Sequence, residues 1–179
     1  MTEEERMLVL ENVMAVAKGK VTVIAHVAAM STRESERLAK HAQKCGADAL
    51  AALPPFYFAL PEYAIEQYWK AMIDASDLPF IIYNIPGTTH YTLSMELFQK
   101  MKRYDKVIGV KNSSMPVQDI QRFKASGGED FIVFNGPDEQ FIAGRLMGAD
   151  AGIGGTYGVM PELFLAADAA LKTGENEKA

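Results

Sequence analysis

The sequence predicts an α/β fold of parallel strands alternating with helices, and three observations carry that prediction. Short runs rich in Val, Ile, Phe and Ala alternate with longer amphipathic stretches. The short runs begin roughly every 20 to 32 residues, the length of one strand, one helix and two loops. They are apolar throughout, as strands are when a parallel sheet is covered on both faces.

Taken in order, the opening "TEEERMLVLENVMAVAKGK" is a helix with Thr2 and Glu5 spaced as a capping pair. The first strand is "VTVIAHV" (21–27). The helix "STRESERLAKHAQKCG" follows, with Ser31 and Glu34 as a capping box and Gly46 as its stop. The second strand, "ADALAAL" (47–53), precedes "LPEYAIEQYWKAMIDAS", which has Pro61 near its first turn. The third, "PFIIYNI" (79–85), precedes "SMELFQKMKRY", which Ser94 caps. The fourth, "KVIGV" (106–110), leads into "MPVQDIQRFKAS", ended by Gly127-Gly128. The fifth, "DFIVFN" (130–135), leads into "DEQFIAGRLMG", with Asp138 as the candidate cap. The sixth, "AGIGGT" (151–156), precedes "MPELFLAADAALKTG", which stops at Gly174. The order is one helix followed by six strand–helix units. Two architectures accommodate it: an open doubly wound sheet, or part of a (β/α)8 barrel. A full barrel typically needs about 250 residues, so length alone favours the open sheet.

Composition bounds the function. The chain has 179 residues, 49% hydrophobic and 23% charged, an ordinary globular balance. Residues 1–179 read as a single domain with no linker, low-complexity segment or hairpin signal. A net charge of −5 and the lack of any Lys/Arg-rich run argue against nucleic acid. No apolar run is long enough to span a bilayer, and the acidic start "MTEEERMLVL" is unlike a signal peptide. Cys45 is the single cysteine, which fits a reducing, cytoplasmic setting.

In both architectures chemistry sits at the C-terminal ends of the strands. The second strand is followed by "LPPFYFAL", with Tyr57; the third ends in Tyr83, Asn84 and Pro86. The fourth ends in Lys111, Asn112, Ser113 and Ser114. The fifth ends in "FNGPDEQF", with Gly136, Asp138 and Glu139, and the sixth in "GIGGTYGVMP", with Thr156 and Tyr157. An amine in apolar surroundings loses solvation of its charged form and becomes available to attack a ketone. The resulting protonated imine is an electron sink for making or breaking an adjacent C–C bond, and a tyrosine on the preceding strand is a candidate proton relay. On spacing alone, a lysine ending a strand in solvent beside a half-buried tyrosine is an equal reading.

These residues in this order resemble the N-acetylneuraminate lyase and dihydrodipicolinate synthase superfamily, pyruvate-dependent class I aldolases on a (β/α)8 TIM barrel. The series is "YNIP", "GVK" roughly 25 residues later, then "NGPDE" and "GGTYG", and the resemblance covers essentially the whole chain. It implies Lys111 as the Schiff-base lysine and Tyr83 as the proton shuttle. It also implies that Tyr57 reaches toward a neighbouring subunit's site across a tight dimer, two dimers usually forming a tetramer. "FNGPDE" is similar to the lyase subgroup, in which the matching residues, here Gly136, Asp138 and Glu139, contact the hydroxylated tail of the sugar acid. Gly155 stands where lyases often have a substrate-touching serine, Ser113 where they tend to have threonine, and Thr156 is a further lining candidate. Thr88 occupies the place where synthases commonly carry an arginine. The resemblance thus implies cleavage of a sialic acid to pyruvate and N-acetylmannosamine through a covalent imine, with no cofactor and no metal. Another pyruvate-dependent 2-keto acid aldolase, a dihydrodipicolinate synthase and an inactive fragment are the alternatives.

The superfamily's first two strands carry a G-[ST]-T-G-E type motif that binds the pyruvate carboxylate, and this chain has none. Its first residues resemble the helix after that motif. The chain therefore reads as strands three to eight of the barrel, and without that motif weak pyruvate binding is expected. The two outermost strands, each lacking one neighbour, are expected to drive association.

Other residues have blander readings. His26 ends the first strand, where it could face the site, but a lone histidine is more often a hydrogen-bonded structural residue. His90, in the loop after "GTT", is a substrate contact or, more often in such a place, a plain loop residue. Cys45 ends a helix, a poor place for a thiolate, and is structural. The ten methionines fall mostly at helical positions and read as core. No His/Cys/carboxylate spacing resembles a metal site, and "GGTYG" lacks the order of a dinucleotide loop.

Overall fold

Six parallel strands pair in chain order in a computed structural model that describes residues 1–179. They are β1 (Ile24–His26), β2 (Ala49–Ala52), β3 (Phe80–Asn84), β4 (Val107–Asn112), β5 (Ile132–Asn135) and β6 (Ala151–Gly152). Helix α1 (Glu3–Ala17) precedes the sheet. The crossovers are α2 (Thr32–Cys45), α3 (Glu62–Ala75), α4 (Pro86–Thr89) with α5 (Met95–Met101), α6 (Gln118–Gly127) and α7 (Phe141–Leu146). Helix α8 (Pro161–Lys172) closes the order. β1 and β6 do not pair with each other, so the sheet is part of a barrel with two free edges.

Successive strand residues face opposite sides. Leu50, Ala52, Phe80, Ile82, Val110 and Val133 join the core shared with the helices, where Trp69, Met72 and Phe98 are fully buried. The opposite side carries Tyr83 and Lys111. The β3–β4 register shifts by one residue between Phe80 and Ile81: Phe80 pairs with Val107, but Ile81 pairs with Gly109. That irregularity is why Val107 and Val110, three apart, both reach the core. Beyond it, Tyr83 pairs with Lys111 and Asn84 with Asn112.

Four elements differ from the sequence expectations. β4 continues two residues beyond "KVIGV", because Lys111 and Asn112 are paired on both sides, by β3 and by β5. β1 and β6 are only three and two residues long, since an outer strand has a ladder on one side alone. The turn α4 was not anticipated; Pro86 opens it and His90 closes it in the left-handed region, at φ 53°.

The caps are mixed. Thr2 and Glu5 form the expected reciprocal box, and the Ser94 hydroxyl accepts from Leu97 N–H. Gly46 ends α2 in the left-handed conformation. Ser31 makes no side-chain cap; instead the buried Ser35 hydroxyl accepts from Ala29 N–H at 2.9 Å and contacts Tyr68 Oη at 3.0 Å. Asp138 does not cap α7 either, because its carboxylate is engaged elsewhere.

One free edge is protected by a side chain. Val23 and Val27 direct backbone groups to β2, which leaves the carbonyls of alternate residues facing outward. Arg6, from α1, donates to Ala28 O at 2.9 Å and to His26 O at 2.8 Å. Arg6→Ala should destabilise the chain by about 1–2 kcal/mol, the usual worth of charge-assisted hydrogen bonds at a partly exposed site. It should also increase concentration-dependent association through β1. Denaturant unfolding and light scattering check both, and an unchanged midpoint with unchanged mass would refute the role.

Candidate active site

The C-terminal ends of β3 to β6 surround an open cleft of ≈ 790 Å³. Tyr83, Lys111, Ser113, Gly136, Asp138 and Glu139 all line it, as does Gly155. The β3–β4 register places Lys111 Nζ 4.0 Å from the centroid of the Tyr83 ring. Both side chains are half-buried. The ammonium makes no ion pair with any carboxylate: the acids of the cleft are otherwise occupied or too distant. A cation over a ring gains about 0.5–1 kcal/mol at an accessible site, so Lys111 is positioned without being neutralised by an acid.

Beneath this pair lies a buried amide ladder. Asn84, Asn112 and Asn135 end β3, β4 and β5 in matching register, and each is buried. Asn84 Nδ2 donates to Asn112 Oδ1 at 2.7 Å, and Asn112 Nδ2 donates to Ser114 Oγ at 2.8 Å. Ser114 Oγ donates to Asp119 Oδ2 at 2.8 Å, and Asn84 Oδ1 accepts from Leu93 N–H at 3.1 Å. The ladder ties the strand ends to the loops that form the cleft walls. Sequence reading named Asn84 and Asn112 only as strand-end residues; the signal available was the repeated ending "YN", "KN" and "FN".

Gly136 N–H donates to Asn112 O at 2.8 Å, bringing its loop against Ser113. A Cβ at Gly136 would overlap the Ser113 hydroxyl, so glycine is required by close approach.

Asp138 organises the far wall. Its Oδ1 accepts from Gly155 N–H at 3.0 Å; its Oδ2 accepts from Thr156 N–H at 2.8 Å and from Thr156 Oγ1 at 2.7 Å. Partial burial opposes its charge. The Thr156 hydroxyl, the Thr156 and Gly155 amides and the charge of Lys111 more than offset that, and hold the carboxyl below its ordinary pKa. Three of about four acceptor positions on a carboxylate are thus taken, leaving one for a ligand. Glu139 is exposed and makes no hydrogen bond, so its carboxylate is free.

Four candidates do not line the cleft: Thr156, whose amide and hydroxyl both go to Asp138, Tyr157, Tyr57 and His90. Tyr57 is 75% exposed in the loop after β2, edge-on to Phe58 at 4.8 Å between ring centroids, and does not line the cleft. His90 is likewise exposed outside it. His26 sits nearer the chemistry than a structural reading implied, its ring edge-on to Tyr83 at 6.1 Å. Enclosure by protein first, and the charges of Arg6 and Lys111 second, hold its imidazole below the ordinary pKa, although the ring keeps contact with water. Away from the cleft, Glu11, His41 and Cys45 bring three donor atoms together, a grouping that spacing along the sequence did not mark.

The whole chain, residues 1–179, matches the model of the dihydrodipicolinate synthetase family. The chain belongs to this family. It is 56% identical over 177 residues to the N-acetylneuraminate lyase of Mediterraneibacter gnavus, a match covering 98% of this chain and 56% of that protein. The sialic acid aldolase of Ruminococcus gnavus, solved as wild type and as a catalytic lysine mutant, superposes with a TM-score of 0.96 at 56% identity. That match covers 98% of this chain and 58% of the other. The dihydrodipicolinate synthase of Bacteroides thetaiotaomicron superposes with a TM-score of 0.90 at 29% identity, over 99% of this chain and 60% of the other. The chain thus spans less than two thirds of the length of these relatives. The fold is six units of a TIM barrel, as the strand-end residues implied and against what length alone favoured. No helix is long and apolar enough to cross a membrane.

Asp138→Asn removes one of two oxygens that accept from different donors, and should lower stability at neutral pH by about 1–2 kcal/mol. Because the native carboxyl titrates below the unfolded value of about 3.9, its contribution is complete above that pH and fades as pH falls through the native value. The gap in melting temperature between the wild type and D138N should therefore close in acid. A gap as large at pH 3 as at pH 7 would contradict this assignment.

Proposed function

We propose that the protein is a Schiff-base lyase that cleaves N-acetylneuraminate or a related sialic acid to pyruvate and N-acetylmannosamine. The observation that carries the reading is the pairing of Tyr83 with Lys111 in a cleft that also holds Gly136, Asp138 and Glu139.

The Lys111 amine, once deprotonated, attacks the C2 ketone of the open-chain sugar acid, and loss of water leaves a protonated imine. Tyr83 relays the proton of the C4 hydroxyl, so that the proton lost from that oxygen is the one delivered to C3 of the enamine. The C3–C4 bond breaks, its electron pair moving into the imine to give an enamine, while C4 becomes the carbonyl of the released amino sugar. Protonation of the enamine at C3 and hydrolysis return pyruvate and the free lysine. The covalent imine is the electron sink, so the reading requires no cofactor. Ser113, Gly155 and Thr156 contribute to substrate binding in this reading. Glu139, with its free carboxylate, and the remaining acceptor position of Asp138 suit the hydroxyl-rich tail. Tyr57 would act from a neighbouring subunit, which its exposed position supports, in a cytoplasmic homodimer or homotetramer.

A synthase reading has less support. Thr88, uncharged and exposed, stands on the cleft wall where an arginine would meet a dicarboxylate, and identity to the lyase exceeds that to the synthase.

The test is trapping. Incubation with pyruvate and borohydride should add a reduced pyruvyl group to Lys111, located by peptide mass spectrometry, and K111R should give no adduct. Tyr83→Phe should still form the adduct but lose cleavage by about 10²- to 10⁴-fold, the usual range for removing a general acid–base group. No adduct on the wild-type chain at high pyruvate would favour an inactive fragment.

A further inference from the structure

Outside the cleft, α1 and α2 place three different metal-ligating groups together. His41 and Cys45 are four apart on α2 and so share one helical face. Glu11 reaches them from α1. One atom from each, a carboxylate oxygen, an imidazole nitrogen and the sulfur, lies within 4.8 Å of the other two. His41 Nε2 is 2.8 Å from Glu11 Oε1 and 3.5 Å from Cys45 Sγ.

We propose that Glu11, His41 and Cys45 form a binding site for a divalent transition metal of the zinc type, bracing α1 against α2. Tetrahedral zinc with Zn–S about 2.3 Å and Zn–N about 2.0 Å sets an S···N separation of about 3.6 Å. The observed Nε2–sulfur separation of 3.5 Å is within that reach, but Nδ1 is almost as near at 3.7 Å, so the Cys45 side chain must turn for its sulfur to meet an ion on the Nε2 lone pair. The Glu11–His41 edge must widen from 2.8 Å to about 3.3 Å. Glu11 allows this, because its side chain is 55% exposed on a flexible stem. His41, 14% exposed, is the fixed member. A carboxylate and a thiolate together balance a divalent charge, and the open side of the cluster leaves the fourth position to water.

A nucleophilic cysteine relay is the rival use of the same three residue types. It needs the thiol on one ring nitrogen and the carboxylate on the other. Here Glu11 sits on Nε2, but the sulfur is nearly equidistant from Nε2 and Nδ1, at 3.5 and 3.7 Å, and lies on neither lone-pair axis, so no relay is assembled. Burial and then the charge of Glu11 raise the Cys45 pKa, the reverse of an activated nucleophile.

The brace would matter because α1 buries only Met14, yet supplies the Arg6 that covers the β1 edge. An ion bound only to the folded chain stabilises it by mass action.

Cobalt(II) titration of the full chain, cleared of metal with chelator, is the test. One equivalent should produce a thiolate-to-cobalt charge-transfer band and raise the melting temperature. C45S should lose the band, H41Q should lose or greatly weaken it, and the surface substitution E11Q should weaken binding at least tenfold while the chain stays folded. No band in the wild type would overturn the site. An equal band in C45S, or equal affinity in E11Q, would overturn it as well.

Discussion

The structure depends on the one-residue register shift between β3 and β4. Parallel pairing fixes which side chains share a face, and a slip of one residue inverts every face beyond it. At the base of the pair the register matches Phe80 with Val107; past the irregularity it matches Tyr83 with Lys111. Continued from the base without the shift, Tyr83 would stand beside Val110 and Asn84 beside Lys111. The tyrosine and lysine would not share a rung. The same shift keeps Val107 and Val110 in the core, so packing and the site require the same backbone irregularity. Glycine at 109 allows it locally, because a Cβ there would meet Ile132 O at 2.6 Å.

From that register the rest of the cleft follows by hydrogen bonding. The asparagines at the three strand ends lie on the core side, where an unpaired amide would be costly. Two of them bond laterally, and the ladder then passes its polarity to Ser114 and Asp119. The far wall is held in another way. Asp138, in the turn before α7, reaches across to the loop after β6 and binds two of its backbone amides. One wall therefore rests on buried amides that end on the Asp119 carboxylate, the other on the partly exposed carboxylate of Asp138.

Much of this was legible because it is written in residue type. Continuous apolar runs marked all six strands, and Lys111 interrupting such a run marked the site. The cleft residues Ser113, Gly136, Asp138 and Glu139 were found because they sit at strand ends, and Gly155 through the family resemblance. What could not be read depends on three-dimensional partners. The capping expectation for Asp138 rested on its position before a helix, and Thr156, eighteen residues away, took the carboxylate instead. Ser31 lost its role to Ser35, whose hydroxyl is drawn into a buried contact with Tyr68. Tyr57 appears in sequence as one more strand-end residue, but its loop carries it off the cleft. The Glu11–His41–Cys45 cluster escaped notice because its first member comes from another helix, thirty residues before His41.

Arg6 shows how a partial barrel handles a free edge. Outward carbonyls on a terminal strand are acceptors, so they can be covered by a donor-only side chain, and a guanidinium spans two of them at once. A lysine ammonium can also reach two carbonyls, as Lys106 does with Ile73 O and Ser76 O, but it lacks the planar fork that holds both in one fixed geometry. The solution works at β1 because α1 lies alongside it. At β6 no comparable donor appears: the neighbouring Arg145 is turned to Asp168 of α8 and to Ala149 O. The two edges are therefore unequal. β1 is shielded by a charge that resists further strand addition. β6, only two residues long, limits pairing by brevity alone, so a new strand would find its larger opening at β6.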